Sequence, residues 1–276
     1  MKKIVLITGG SDGIGKATAI GLARKDFHVV IVGRNKDKTE AAVQEIKQLS
    51  GNKDVDYLLC DLSLLSQVQK LAKEFGAKYK RLDVLINNAG VFLPSRQVTE
   101  EGFEKTFATN YLSHFLLTHL LLPLLEKSAP SRIVCVASKH QGVTIDFDDL
   151  MLEKRKYSFM KAVGPTKLGL VLFTKTLSKK LEGSGVTINC LHPGLTRSHL
   201  LDKLPFIKIL FNFISGTPEK GAQTSIYLAS SPEVEGISGE YFEKCKVAKT
   251  VGQANDPDAE KKLWDVSLKL AKIANF

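Results

Sequence analysis

Thr8-Gly9-Gly10-Ser11-Asp12-Gly13-Ile14-Gly15 follows directly on the apolar run Ile4-Val5-Leu6-Ile7. An apolar run, a glycine-rich turn and then apolar-periodic residues predict strand, tight loop and helix. In α/β proteins that unit holds the pyrophosphate of a dinucleotide. Gly9, Gly13 and Gly15 let the backbone turn sharply and approach phosphate with no Cβ in the way. The helix, expected to begin near Ile14, aims its free N–H groups at the anion. An ordinary βα turn would use the same glycines, so the reading depends on what else the chain carries.

Outward from this loop, β-rich apolar runs at 3–7, 28–32, 55–60, 82–86, 132–137, 186–191 and 237–242 alternate with stretches of helical length such as 14–25, 37–49, 64–78 and 101–126. The alternation predicts an α/β fold, a Rossmann-type doubly wound parallel sheet of about seven strands with helices on both faces. The 276 residues suffice for one domain, 1–276, and show no linker, repeat or low-complexity tract. Hydrophobic content of 43% and charged content of 25% read as soluble and globular.

The net charge is +10. Lysines scattered over helices account for it; a basic cofactor mouth or attraction to acidic membrane surfaces are sharper readings. No basic helix with interleaved aromatics stands out, which argues against nucleic acid. Cys60, Cys135, Cys190 and Cys245 are widely spaced and lack metal-ligand spacing, so no metal site is expected. The first three sit in apolar runs and read as small core residues in a reducing compartment. The first strand starts at residue 3 or 4, with no signal peptide or anchor before it. The expectation is a cytoplasmic protein with peripheral membrane contact as an option. Segment 111–126 is too short and interrupted to span a bilayer. It reads as a buried helix and suggests a homo-oligomer, a dimer or tetramer. Segment 204–214 is apolar and not required by the sheet. A lid, a membrane-dipping surface and a core-packed helix all remain open for it.

Several motifs together resemble the short-chain dehydrogenase/reductase family: the Thr8–Gly15 loop, Cys60-Asp61-Leu62, Asn87-Asn88-Ala89-Gly90, Asn110, Ser138, Lys167 and His192-Pro193-Gly194. Thr217–Thr224, Ser238–Phe242 and Leu263-Trp264-Asp265 resemble its retinol dehydrogenase branch, which acts on lipophilic carbonyls and alcohols. The resemblance implies that Gly9, Ser11, Asp12, Gly13, Ile14 and Gly15 cradle the cofactor. It also implies that Asp61 and Leu62 lie at the adenine, and that Asn88, Ala89 and Gly90 line the adenosine ribose. Pro193, Gly194 and Thr196 would pack on the nicotinamide. The second strand ends Val32-Gly33-Arg34-Asn35. An acid there would hold the 2′-OH of NAD. Gly33 removes it, and Arg34, next to Asn35, suits a 2′-phosphate, so NADP(H) is favoured. Asp12 argues the other way, because many NADP-preferring relatives carry a basic residue there.

The family's chemistry uses a tyrosine that passes a proton to or from the substrate oxygen and a lysine four residues later that holds the nicotinamide ribose. A serine binds the substrate oxygen, and an asparagine supports a water chain. Ser138, Asn110 and Lys167 match the last three. Four residues before Lys167 stands Val163. A literal Tyr-x-x-x-Lys does occur at Tyr157–Lys161. However, Pro165 is comfortable only in a helix's first turn. The helix is therefore expected to start near Val163 or Gly164, with Tyr157 and Lys161 in the loop before it. Val163 then occupies the tyrosine position. Tyr157 from the loop, Ser138 with a water, or His140 are the substitute donors. A reaction that needs no such proton, such as hydride transfer to an enone, is a further option. The expected function is NADP(H)-dependent hydride transfer to or from a lipophilic carbonyl, alcohol or enone. The alternative is a catalytically silent NADP(H)-binding protein that acts as a sensor or through partners.

Overall fold

In the computed structural model, which describes residues 2–194 and 216–273, a mixed sheet carries helices on both faces. The strands are β1 (Ile4–Thr8), β2 (His28–Gly33), β3 (Val55–Leu59), β4 (Val84–Asn87), β5 (Ser131–Val136), β6 (Val186–His192), β7 (Tyr241–Glu243) and β8 (Lys246–Val247). Their order is β3-β2-β1-β4-β5-β6-β7-β8. The pairs from β3 to β7 are parallel, and β8 closes the edge antiparallel to β7. The first seven strands fall on the seven apolar runs. β8, two residues long and exposed, lacks the apolar signal that marks the others.

The helices are α1 (Gly13–Ala23), α2 (Lys36–Ser50), α3 (Leu65–Lys78), α4 (Lys105–Phe107), α5 (Ser113–Lys127), α6 (Phe159–Lys180), α7 (Pro218–Ser230) and α8 (Pro257–Ala271). The expected single helix over 101–126 is broken: a π-helical turn at Ala108–Leu112 separates α4 from α5. Such turns are frequent at functional sites. Alternation along the strands divides the core. Val5, Ile7, Val29 and Ile31 pack with α1, α2 and α7, while Leu6, Val30 and Val32 face α3, α5, α6 and α8. Burying such side chains contributes about 1.5–3 kcal/mol each.

The sheet order reverses between β1 and β4, and ligands of such sheets bind outside the carboxyl ends of the strands at that point. The Thr8–Gly15 loop leaves β1 there, and Asn88–Gly90 leaves β4 beside it. The helix read from segment 111–126 is buried within one chain. Phe115 and His119 of α5 meet Phe173 of α6 and Trp264 of α8, and the Tyr111 hydroxyl bonds Ser267 at 2.8 Å. Leu120, 40% exposed, and Pro123 lie on the face of α5 that the other described residues leave uncovered. Among the described residues, no helix is long and apolar enough to cross a membrane. All four cysteines are free, and Cys60, Cys135 and Cys190 are buried. Burial pushes the Cys60 thiol up to about 12 and that of Cys135 to about 11, so both are inert.

Candidate active site

The glycine loop is built for close backbone approach. A Cβ at Gly15 would stand 2.2 Å from the Gly9 carbonyl oxygen, and one at Gly9 would stand 3.0 Å from Ala89 Cα. Gly9 and Gly13 both have positive φ, +65° and +49°. A Cβ at Gly13 would meet nothing within 4 Å, so this glycine borders open space at the start of α1. Asp12 caps α1, its carboxylate accepting from the Gly13 N–H at 2.7 Å. Beneath the loop Thr8 acts as a hub. Its hydroxyl accepts the backbone N–H of Asn88 at 2.9 Å and of Ala89 at 3.0 Å. The Asn88 side chain donates back to the Thr8 carbonyl at 2.8 Å. The two loops at the switch point are thus one hydrogen-bonded unit.

At the second strand's end, a Cβ on Gly33 would meet Thr39 Oγ1 at 2.1 Å. The close approach of α2 therefore leaves no room for an acid there. Arg34 is largely exposed and lies 3.7 Å from Asp61. Burial pushes the Asp61 carboxyl up, but hydrogen bonds from Ser63 and the Arg34 charge outweigh it, and the net shift is downward. Asn35 caps α2 by accepting from the Lys38 N–H at 2.9 Å, so its side-chain oxygen is already engaged. Lys38 was not anticipated. Its ammonium donates to Asp12 at 2.6 Å. The basic group expected on the glycine loop itself is instead delivered to it by α2. Leu62 is buried below Asp61.

At the other end, Asn110 sits fully buried in the π-helical turn. Its carboxamide accepts from the Val91 N–H at 2.7 Å and donates to the Val91 carbonyl at 3.0 Å. A Cβ on Gly90 would stand 3.5 Å from Asn110 Oδ1 and 3.7 Å from Lys167 Nζ, so these three residues surround one point. Lys167, buried, donates to the Val136 carbonyl at 2.6 Å. Burial lowers its pKa to about 8. Ser138, two residues beyond Val136, is half-buried, and its hydroxyl makes no hydrogen bond among the described residues. Its carbonyl accepts from the Tyr241 hydroxyl at 3.2 Å. Pro193 and Gly194 follow β6, with φ of +83° at Gly194. Thr196 and segment 204–214 lie outside the described residues.

The expected start of the helix before Lys167 is corrected. α6 begins at Phe159, and Ser158 caps it by accepting from the Lys161 N–H at 3.3 Å. Lys161 therefore lies inside the helix, and Pro165 stands in its second turn. Pro165 deprives only the Lys161 carbonyl of its helical donor. Lys161 is an exposed residue rather than a core one, which limits the cost of that orphaned carbonyl. Tyr157 does precede the helix. Val163, buried, stands one turn before Lys167, where i and i+4 share a face.

Two of the anticipated substitute donors are otherwise engaged. The Tyr157 hydroxyl donates to the Leu93 carbonyl at 3.0 Å and lies 3.4 Å from Thr106 Oγ1, with no hydrogen bond to Ser138 or Lys167. Burial raises its pKa, which makes it a poorer acid and argues against the catalytic role expected of it. His140 is buried, accepts the Val251 N–H at 3.2 Å on Nε2 and packs edge-on against Tyr241. Burial lowers its pKa, so it carries no acidic proton near neutrality. Among the described residues, no group of three or more His, Cys, Asp or Glu is placed to hold a metal.

The short chain dehydrogenase family model matches residues 3–205. The chain is 43% identical to retinol dehydrogenase 14 of Homo sapiens, covering 96% of this chain and 85% of that protein. An uncharacterized protein from Mycobacterium paratuberculosis superposes with a TM-score of 0.81 at 30% identity, over 98% of this chain and 93% of its own. A short chain dehydrogenase from Escherichia coli CFT073, solved in complex with NADPH, superposes with a TM-score of 0.68 at 25% identity, over 87% of this chain and 95% of its own.

Proposed function

Because the chain belongs to the short-chain dehydrogenase/reductase family, in its retinol dehydrogenase branch, we propose that it is an NADP(H)-dependent oxidoreductase acting on a lipophilic carbonyl, alcohol or enone. The proton in this reading does not come from a phenol. The observation that carries the reading is the convergence of Asn110, Gly90 and Lys167 on one point beside the glycine loop.

The residues present fit a dinucleotide. Gly13 leaves open space at the amino end of α1, and Gly9 and Gly15 admit no side chain. Gly33 excludes an acid, while Arg34 and Lys38 supply cations suited to a 2′-phosphate. Asn88, Ala89 and Gly90 would line the adenosine ribose, and Lys167 would hold the nicotinamide ribose. When bound, the reduced nicotinamide supplies a hydride.

The chain's part is to orient the substrate and manage a proton. Ser138 donates its free hydroxyl to the substrate oxygen. Lys167 holds a proton that burial has made labile near pH 8. A water beside Val163, in the place a phenol would fill, carries that proton to the oxygen through Ser138. Catalytic groups work best with pKa values near the working pH, and the Lys167 ammonium meets that condition. Val163 also favours a second reading, tight NADPH binding without turnover.

The test is NADPH consumption by the unmodified protein with a panel of retinal, steroid ketones and quinones. Turnover that falls at least tenfold in Ser138→Ala supports the reading. NADPH binding with no turnover across the panel supports the silent binder instead.

A further inference from the structure

His114 opens α5 one turn after Asn110, is fully buried, and has no part in the chemistry above. Its Nε2 lies 3.3 Å from Thr8 Oγ1. The Thr8 hydroxyl oxygen already accepts two backbone N–H groups, from Asn88 and Ala89. A hydroxyl has two acceptor sites and one proton, so this proton must go to an acceptor. Two stand at 3.3 Å, the Ile86 carbonyl and His114 Nε2. Burial pushes the imidazole pKa down to about 3, the Lys167 charge adds to this, and the Asn110 carbonyl opposes it. The ring is therefore neutral, and Nε2 is free to accept. Thr8 by contact, Lys167 through its charge and Asn110 through its backbone carbonyl tie the ring to the site.

The arrangement gives one helix two grips on one loop. Asn110 binds both backbone groups of Val91. His114, one turn further on, orients the hydroxyl that binds Asn88 and Ala89. Gly90, between the two grips, faces Lys167.

We propose that His114 is a positioning residue: by orienting the Thr8 hydroxyl it clamps the Asn88–Ala89 end of the loop whose Val91 end Asn110 clamps, and so sets the ribose-lining backbone against Lys167. The proposal rests on the dinucleotide reading, but one of its two readouts does not. The experiment compares His114→Leu with His114→Gln, whose side-chain amide can still accept. It reads the NADPH dissociation constant and amide hydrogen exchange at Asn88–Val91. His114→Leu should weaken NADPH binding about five- to tenfold, the scale of one buried hydrogen bond, and speed exchange at Asn88 and Ala89. His114→Gln should restore most of both.

Thr8→Val removes the hydroxyl at nearly constant volume and also strips the Asn88 and Ala89 N–H groups of their acceptor, so it should weaken binding and speed exchange more than His114→Leu does. In the Thr8→Val background, His114→Leu should add little further loss, because the hydroxyl that His114 orients is already gone. The proposal is overturned if His114→Leu lowers only thermal stability, with binding and exchange unchanged, or if Gln is as impaired as Leu. If His114→Leu does not fold, His114→Met, which likewise lacks the nitrogen acceptor, replaces it in the comparison with His114→Gln on the same readouts. If the unmodified protein binds no dinucleotide, the functional reading fails and exchange at Asn88–Val91 alone judges the clamp.

Discussion

Val163→Tyr is the most informative single change. It places a phenol one helical turn before Lys167, whose ammonium is anchored 2.6 Å from the Val136 carbonyl. A nearby cation favours the phenolate and lowers the phenol's pKa toward the working range. A positioned acid–base group contributes roughly 10²–10⁴ in rate, or about 3–5.5 kcal/mol of barrier. The ring must enter a buried position, and overfilling such a site typically costs about 1–3 kcal/mol of stability. For a chain of this size, each kcal/mol shifts Tm by about 2–4 °C. The variant should therefore melt somewhat lower yet reduce retinal with NADPH at least a hundredfold faster. The assay is loss of reduced-nicotinamide absorbance at saturating NADPH, alongside NADPH titration and a melting curve. A folded variant with unchanged NADPH affinity and less than a tenfold gain would refute the assignment of Val163 to the proton-transfer position.

Other perturbations probe separate parts of the site. Arg34→Ala and Lys38→Ala should each weaken NADPH roughly tenfold, the lower end for a charge-assisted hydrogen bond, and leave NADH binding nearly unchanged by calorimetry. Pro165→Ala should leave Tm within a few degrees: regaining one helical hydrogen bond at exposed Lys161 adds about 0.5–1.5 kcal/mol, offset by ~0.4–1 kcal/mol for the freer unfolded chain. The His114 pKa is near 3 in the folded chain, below its ordinary 6.5, so the unfolded chain binds the extra proton between those values. Stability from this group is fully present above about pH 6.5 and is lost as pH falls toward 3, and His114→Gln should flatten that slope in denaturant titrations.

Much of this was legible because it is local in sequence. The glycine loop, Gly33-Arg34 and Asn88–Gly90 each lie at the end of an apolar run that also predicts its strand. Thr217 caps α7 by accepting from the Lys220 N–H with Pro218 in the first turn, a start signal that is equally local in sequence. Lys38 and His114 were not legible, because their meaning depends on which loops the fold brings beneath them. Four residues after Arg34, Lys38 reads as an ordinary surface lysine until α2 carries it to Asp12. Helix propensity misplaced the start of α6. An interior proline is costly where its orphaned carbonyl is buried, and Lys161 is exposed. The π-helical turn at Ala108–Leu112 has no sequence period of its own, so 101–126 read as one helix.

The most direct test is a single turnover of the unmodified protein with NADPH deuterated at the transferred position and retinal as acceptor, analysed by mass spectrometry of the product. The account predicts deuterium on the retinol carbinol carbon, with the signal lost in Lys167→Met. Tight NADPH binding with no deuterated product, from retinal or from the steroid and quinone acceptors, would contradict it.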